Sequence, residues 1–237
     1  VRQAMRIMGH QFVMGRTIEE ALDRSAKGDN AKYRYSYDML GEAAFTAPDA
    51  ARYKQAYHDA ILALGTRGPF TNLMDAPSIS VKLSALPPRS DVAKRERVHA
   101  ELTPVVLELA QLAKAQGIAL TIDAEEADRL DLSLDVMEAV FTHPSLDGWN
   151  GFGLAVQAYQ KRAPFVIDWL IETAKAAKRR WCVRLVKGAY WDSEIKRAQE
   201  LGLSGYPVFT RKPNTDVSYL ANATRMLDAG ADVIYPQ

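Results

Sequence analysis

The stretch Arg180-Trp-Cys-Val-Arg-Leu-Val-Lys-Gly-Ala-Tyr-Trp-Asp-Ser-Glu-Ile-Lys-Arg197 decides the fold. Trp181 to Val186 is a short run of β-branched, aromatic and apolar residues broken only by Arg184, the pattern of a buried strand. Gly188 then frees the backbone to turn, Asp192 or Ser193 offers an N-cap, and the helix that follows is expected to end near Gly202. An arginine on a core strand must meet an anion, a carbonyl or a cofactor edge, because an unpaired buried charge is too costly to keep. A plain ion pair between strand and helix is the competing reading.

Outward from this run the same grammar repeats. Upstream, strands are expected over Tyr33–Leu40, Ser78–Leu83, Ile118–Asp123 and Phe152–Tyr159, and downstream over Ala231–Tyr235. Between them lie helical stripes. Pro48 opens one with Tyr53, Tyr57, Ile61 and Leu64 on a face. Val98, Leu102, Val105, Leu109 and Leu112 make the next, bent at Pro104 and ended by Gly117. Leu130, Leu134, Met137 and Phe141 form a third, and Val166, Leu170, Ala174 and Ala177 a fourth. Asn214 or Thr215 is expected to cap the last helix, which Gly230 ends. Residues 1–30 read as a helical arm with breaks at Gly9 and Gly15 and a capping box at Thr17 and Glu20.

Strand followed by helix, six times with no hairpin signal, implies parallel strands joined by crossovers. A doubly wound sheet usually carries a glycine-rich phosphate turn, and neither G-x-G-x-x-G nor G-x-x-x-x-G-K-[ST] occurs. A (β/α)8 TIM-like barrel instead spreads its site over many strand ends, and here polar residues punctuate those ends: Asp38 and Glu42, Lys82, Asp123 and Glu125, Gln157, Arg184 and Lys187. At roughly 30 residues per unit, the two units missing from the pattern would need about 60 more residues, so residues 31–237 of this α/β chain are expected to form an incomplete barrel. The Val1 start and the stop just after Tyr235 look like cut ends.

Composition narrows the function. Thirty basic against 29 acidic side chains leave no broad field for nucleic acid or anionic lipid, so specificity must be local. The basic runs at Lys94, Arg95 and Arg97 and at Lys175 to Arg180 are short and suit a solvated face. A single cysteine, Cys182, reads as a small buried hydrophobe in a cytosolic protein. No run is long enough to span a bilayer, and no signal peptide is visible. The four histidines, His10, His58, His99 and His143, have no ligand spacing, and no G-x-S-x-G elbow is present.

Each rim residue has a bland alternative. Lys82 inside a strand persists as a cation only beside a carboxylate or ligand anion. Asp123 could serve a ligand or cap the next helix, and of Glu125 and Glu126 one is expected to work and one to be solvated. Gln157 offers a donor and an acceptor to a flavin imide or a nicotinamide, or is a satisfied core amide.

The runs Arg34-Tyr-Ser-Tyr-Asp-Met-Leu-Gly-Glu42, Ser80-Val-Lys-Leu-Ser84, Ile122-Asp-Ala-Glu-Glu-Ala-Asp-Arg129, Val156-Gln-Ala-Tyr-Gln-Lys-Arg162 and Arg184-Leu-Val-Lys-Gly-Ala-Tyr-Trp-Asp192 resemble the proline dehydrogenase domain of the bifunctional bacterial proline-utilisation flavoproteins, the PutA family. The resemblance covers almost the whole chain in order. It implies a distorted barrel that holds FAD noncovalently, oxidises L-proline to Δ1-pyrroline-5-carboxylate by hydride transfer from C5 to flavin N5, and passes electrons to a membrane quinone. Carried over by position, it places Gln157 and Arg184 at the flavin ring. Val186, Lys187, Gly188, Ala189 and Trp191 line the cofactor, with Thr210 and Lys212 near its adenosine half. Lys82 meets the substrate carboxylate, Asp123 lies beside the proline site, Leu185 and Tyr190 shape that pocket, and Glu42 pairs with a gating arginine. It also implies an aldehyde-dehydrogenase module in the parent polypeptide and a cytoplasmic location peripheral to the inner membrane. The family's carboxylate-clamping arginines on the last barrel helix are absent from this sequence. Two other readings stand beside it: a Schiff-base lysine barrel using Lys82 or Lys187, and an inactive structural segment of a larger enzyme.

Overall fold

Six strands pair side by side in the order of the sequence, every pair parallel, in a computed structural model that describes residues 9, 12–41, 44–87 and 95–237. They are β1 (Ser36–Asp38), β2 (Ser78–Val81), β3 (Ala119–Ile122), β4 (Phe152–Gln157), β5 (Trp181–Val186) and β6 (Ile234–Pro236). A doubly wound sheet must reverse its strand order at a switch point, and none occurs among the described residues. Sequential parallel order is the arc of a (β/α) barrel, so the α/β chain is an incomplete TIM-like barrel as its pattern implied.

Helices supply the crossovers: α2 (Ala47–Gly65), α3 (Arg95–Ala115), α4 (Leu130–Phe141), α5 (Ala163–Ala177), then α6 (Trp191–Glu200) and α7 (Lys212–Asp228) between β5 and β6. Preceding them all, α1 (Ile18–Ser25) starts at Thr17, whose hydroxyl accepts from Glu20 N, and it sends Leu22 into the core. The Glu20 carboxylate in turn accepts from Arg16 N at 3.0 Å. Thr46 and Asp49 form a complete capping box at the head of α2. Helix α3 runs through Pro104.

Side chains alternate along each strand, so the sheet has two unlike faces. Ile79, Val81, Leu120, Ile122, Leu154, Val156 and Val183 face outward into the helices and form the main core. The inward set is small or polar, with Ser80 and Thr121 fully buried. Gly153 on this face has no room for a Cβ, which would lie 2.1 Å from the Cys182 carbonyl.

At the N-terminal ends of β4 and β5 an aromatic cluster packs between the sheet and the helices. Trp181 stacks on Phe141 with ring centroids 3.7 Å apart, Phe152 and Trp169 flank it, and its indole N–H donates to Thr173 Oγ1 at 3.1 Å. Arg179 lies over the Phe141 ring and donates to the carbonyls of Phe141 and Trp149. It thereby caps the C-terminus of α4, where the helix dipole favours a cation.

Four expectations shift, the last strand among them: it covers Ile234–Pro236 rather than Ala231–Tyr235, with residues 231–233 in a turn. The strand expected over Tyr33–Leu40 is only Ser36–Asp38, the three residues in register with Ser78–Ser80 of β2. Helix α6 starts at Trp191 with Tyr190 before it, so Asp192 and Ser193 fall in its first turn rather than cap it. Likewise α7 begins at Lys212, with Pro213 in its first turn, and Asn214 and Thr215 lie inside the helix. Lys94, His10, Glu42 and most of the stretch before Gly15 lie outside the described residues. Among the described residues no helix is long and apolar enough to cross a membrane.

Candidate active site

Four strand ends bring their side chains together at the C-terminal mouth. Lys82 follows β2 directly, and its Nζ lies 2.9 Å from Asp38 Oδ1 at the end of β1 and 3.0 Å from Asp123 Oδ2 just after β3. Arg184 on β5 engages the other oxygen of the same carboxylate: Nη2 pairs with Asp123 Oδ1 while Nη1 donates to Ser80 Oγ at 3.1 Å. Arg184 is in register with Ala155 on the intervening strand, whose methyl leaves the guanidinium free to cross. Carboxylate and cation therefore alternate in a row: Asp38, Lys82, Asp123, Arg184. The side chains of Asp123, Lys82 and Arg184 are 10, 21 and 30 % exposed, buried enough for the charges to matter and open enough for a ligand to reach them.

This geometry settles two alternatives left by the sequence. Asp123 does not cap a helix; the 3-10 turn Ala127–Arg129 begins after Glu126 with no side-chain cap. Nor does Arg184 pair with a helix, since its carboxylate comes from a nearby strand end.

Glu125 and Glu126 part company. The Glu125 carboxylate turns inward to accept from Ser84 N at 3.0 Å, and burial pushes its pKa above the usual carboxylate range. Glu126 pairs with Arg129 at 3.2 Å, half-exposed. Gln157 is buried and satisfied by protein: Nε2 donates to Glu125 O at 2.9 Å, and Oε1 accepts from Ala189 N at 3.1 Å. An amide has two N–H bonds, and these contacts use one.

A second locus adjoins the first across the loop after β5. Lys187 and Lys212 each place Nζ 2.6 Å from a different oxygen of Asp216. The shared carboxylate holds Lys187 above its ordinary pKa, and the two ammoniums hold Asp216 below its own. Beside them opens a pocket of about 400 Å³ lined by Tyr159, Lys187, Gly188, Trp191, Phe209, Thr210, Lys212 and Thr215. Gly188 has φ +140°, and a Cβ on it would lie 2.4 Å from the Tyr159 ring, so only glycine lets the backbone approach there. The loop is pinned by Ala158 N to Val186 O and Tyr159 N to Lys187 O, both 2.8 Å. Trp191 is 43 % exposed and donates its indole N–H to Phe209 O. Tyr190, between the two loci, is half-buried, which raises its pKa.

The expected site residues thus fall into two adjacent groups, one of Lys82, Asp123 and Arg184, the other of Lys187, Gly188, Trp191, Thr210 and Lys212, with Gln157, Ala189 and Tyr190 linking them. Leu185, half-buried, packs against the core. The sequence pattern places Asp38 at the rim without naming its partner, and leaves Ser80, Tyr159 and Asp216 unremarked. The alternation Ser78-x-Ser80-x-Lys82 marks Ser80 as inward, and Asp216 stands one helical turn from Lys212.

A family model described as proline dehydrogenase matches residues 21–237. The chain is 56 % identical over its whole length to the bifunctional protein PutA of Klebsiella aerogenes, of which it spans 18 %. Among solved structures, a proline utilization A variant from Bradyrhizobium japonicum superposes on all of the chain at TM-score 0.89 with 58 % identity, the chain covering 24 % of it. The proline utilization A of Bdellovibrio bacteriovorus, inactivated by N-propargylglycine, superposes on 99 % of the chain at TM-score 0.91 with 26 % identity, the chain covering 26 % of it. With the match extending over nearly every element of the barrel arc, this chain belongs to the proline dehydrogenase family.

Proposed function

We propose that the chain carries out FAD-dependent oxidation of L-proline to Δ1-pyrroline-5-carboxylate. The observation that carries the reading is the convergence of Lys82, Asp123 and Arg184 at one mouth, next to the pocket flanked by Lys187 and Lys212. Residues 31–237 are taken as the barrel segment and residues 1–30 as its arm.

The chain's residues fit a flavin dinucleotide. Lys187 and Lys212 present two ammoniums, and the first turn of α7 has no side-chain cap over its N–H groups, a combination suited to a diphosphate. Gly188 admits close backbone approach, Val186 and Ala189 flank it, and Trp191, Phe209 and Thr210 offer aromatic and hydroxyl surface to a nucleoside. Arg184, with the remaining Gln157 N–H, would meet the ring. When bound, the flavin would supply the two-electron acceptor for the hydride from C5 of proline, whose ring nitrogen would lose a proton.

Lys82 receives the substrate carboxylate as a charge-assisted pair, exchanging part of its contact with Asp38. Asp123 keeps Lys82 and Arg184 at a fixed separation, so the anchored carboxylate and the flavin edge keep one geometry. Its oxygens are both engaged, and the amine proton is left to solvent at the open mouth. The Arg184 guanidinium stabilises negative charge on an acceptor beside it. Leu185 and Tyr190 form the wall against the five-membered ring, and Glu42 is kept as the gate carboxylate.

A Schiff-base lysine fits less well. Lys82 is held between two carboxylates, and Lys187 is pushed up in pKa, whereas an amine nucleophile needs the opposite. As the curated relatives are bifunctional by name, we place an aldehyde-dehydrogenase module beside this one, with electrons going to a membrane quinone from a cytoplasmic, peripheral position. Anaerobic titration of the purified protein, supplied with FAD, tests the reading. A retained visible flavin band that bleaches with L-proline supports it. Folded protein that takes up no flavin, or whose flavin stays oxidised with excess proline, overturns it, and borohydride trapping of substrate on a lysine would favour the Schiff-base alternative.

A further inference from the structure

We propose that Glu125 is the positioning residue that sets the Lys82–Asp123 pair; the proposal deepens the proline reading and rests on it. Glu125 stands two residues beyond Asp123, and its carboxylate accepts from the N–H of Ser84, two residues beyond Lys82. One side chain thereby ties the turns that follow β2 and β3. Beneath the ion pair, Asp123 N donates to Val81 O at 2.9 Å and Val81 is in register with Ile122. The Lys82–Asp123 pair is bracketed by the sheet ladder below and the Glu125 clamp above.

The clamp continues around the mouth. The main-chain carbonyl of Glu125 accepts from Gln157 Nε2, and Gln157 Oε1 accepts from Ala189 N, the residue before Tyr190. From Ser84 to Ala189 the C-terminal ends of four consecutive strands are joined by one string of hydrogen bonds, in which Glu125 and Gln157 supply the side chains. A carboxylate suits the first link because a hydrogen bond to an ionised acceptor is about twice as strong as a neutral one. Burial works against the charge and raises the Glu125 pKa, a cost that a solvated loop acid would avoid.

Three variants test this: Glu125→Gln keeps an oxygen for Ser84 N, Glu125→Asp withdraws the carboxylate by one methylene, and Glu125→Ala removes it. Amide hydrogen exchange at Ser84, measured on the flavin-free protein, reads the clamp without any chemistry. KM and kcat for L-proline, measured on the flavin-loaded protein, read its consequence. For Glu125→Ala and Glu125→Asp we expect faster Ser84 exchange and a rise in KM of about tenfold, the scale of one charge-assisted hydrogen bond, with kcat changed less. Glu125→Gln should restore both to within about threefold, since a neutral acceptor keeps part of the bond. Unchanged KM in Glu125→Ala and Glu125→Asp alongside intact proline oxidation in the parent overturns the positioning role alone. So does unchanged Ser84 exchange, or a Glu125→Gln variant as impaired as Glu125→Ala. Absence of proline oxidation in the parent overturns the functional reading and this proposal with it.

Discussion

Two arginines five residues apart on one segment, Arg179 and Arg184, do opposite things at opposite ends of β5. Arg179, at the N-terminal end, is buried and donates only to carbonyls, those of Phe141 and Trp149, with an aromatic ring under its guanidinium. Arg184, at the C-terminal end, is partly exposed and faces a carboxylate that it shares with Lys82. One end meets only neutral carbonyls and an aromatic ring, so its charge is held in place with no ion to exchange. The other is built of charges that a ligand carboxylate or an anionic ring can trade with. A cation marks a working site when its partners are ions within reach of solvent; buried among carbonyls it marks a joint in the scaffold.

The contrast can be broken first at the bottom. Trp181 is fully buried in its aromatic stack, so Trp181→Ala is expected to cost about 4 kcal/mol of stability, read by thermal or urea unfolding. At the mouth, Asp123→Ala leaves two cations facing each other; kcat/KM for proline should fall about 100-fold while the unfolding midpoint moves little. A midpoint drop as large as that of Trp181→Ala would mean that the mouth is also scaffold. Arg179→Met should lower stability by about 2 kcal/mol, since two charge-assisted bonds to buried carbonyls vanish, with kcat/KM within about twofold of the parent.

The smallest effect sharpens the picture between the ends. Glu194 on α6 is buried and accepts from Ala127 N at 2.6 Å; burial raises its pKa, with Asp128 and Glu126 adding to the rise and Arg197 opposing it. Because the folded pKa lies above the unfolded one, its contribution to stability is fully present below the unfolded value of about 4.3 and is lost as pH rises through the folded pKa. Raising the pH from about 4 to 7 should therefore lower the melting temperature of the parent relative to Glu194→Gln. A gap that stays constant with pH would place the charge of Glu194 in contact with solvent.

Much of this could be read before any coordinates. β5 and α4 have the bounds that their patterns gave, because Trp181 to Val186 is a compact apolar run and Leu130 to Phe141 is a clean amphipathic stripe flanked by turn residues. Helix starts were harder: Asn214 looked like a cap, yet Pro213 with its fixed φ already belongs to the first turn of α7. The strand ends announced which residues would gather at the mouth, since parallel strands with helical crossovers carry their C-terminal ends to one side. They could not announce who pairs with whom. That Lys82 lies between Asp38 and Asp123, and that Ser80 supports Arg184, depends on inter-strand register, where a slip of one residue turns every side chain to the other face. Gln157 shows the same limit, because its two protein partners come from loops far apart in sequence.

The most direct test sets the two arginines side by side: the anaerobic rate at which L-proline bleaches the flavin in Arg184→Met and in Arg179→Met, together with their melting temperatures. The account predicts a rate lowered by about two orders of magnitude at near-parental stability for Arg184→Met, and a near-parental rate at lowered stability for Arg179→Met. The reverse pattern, or equal loss of rate in both, would contradict it.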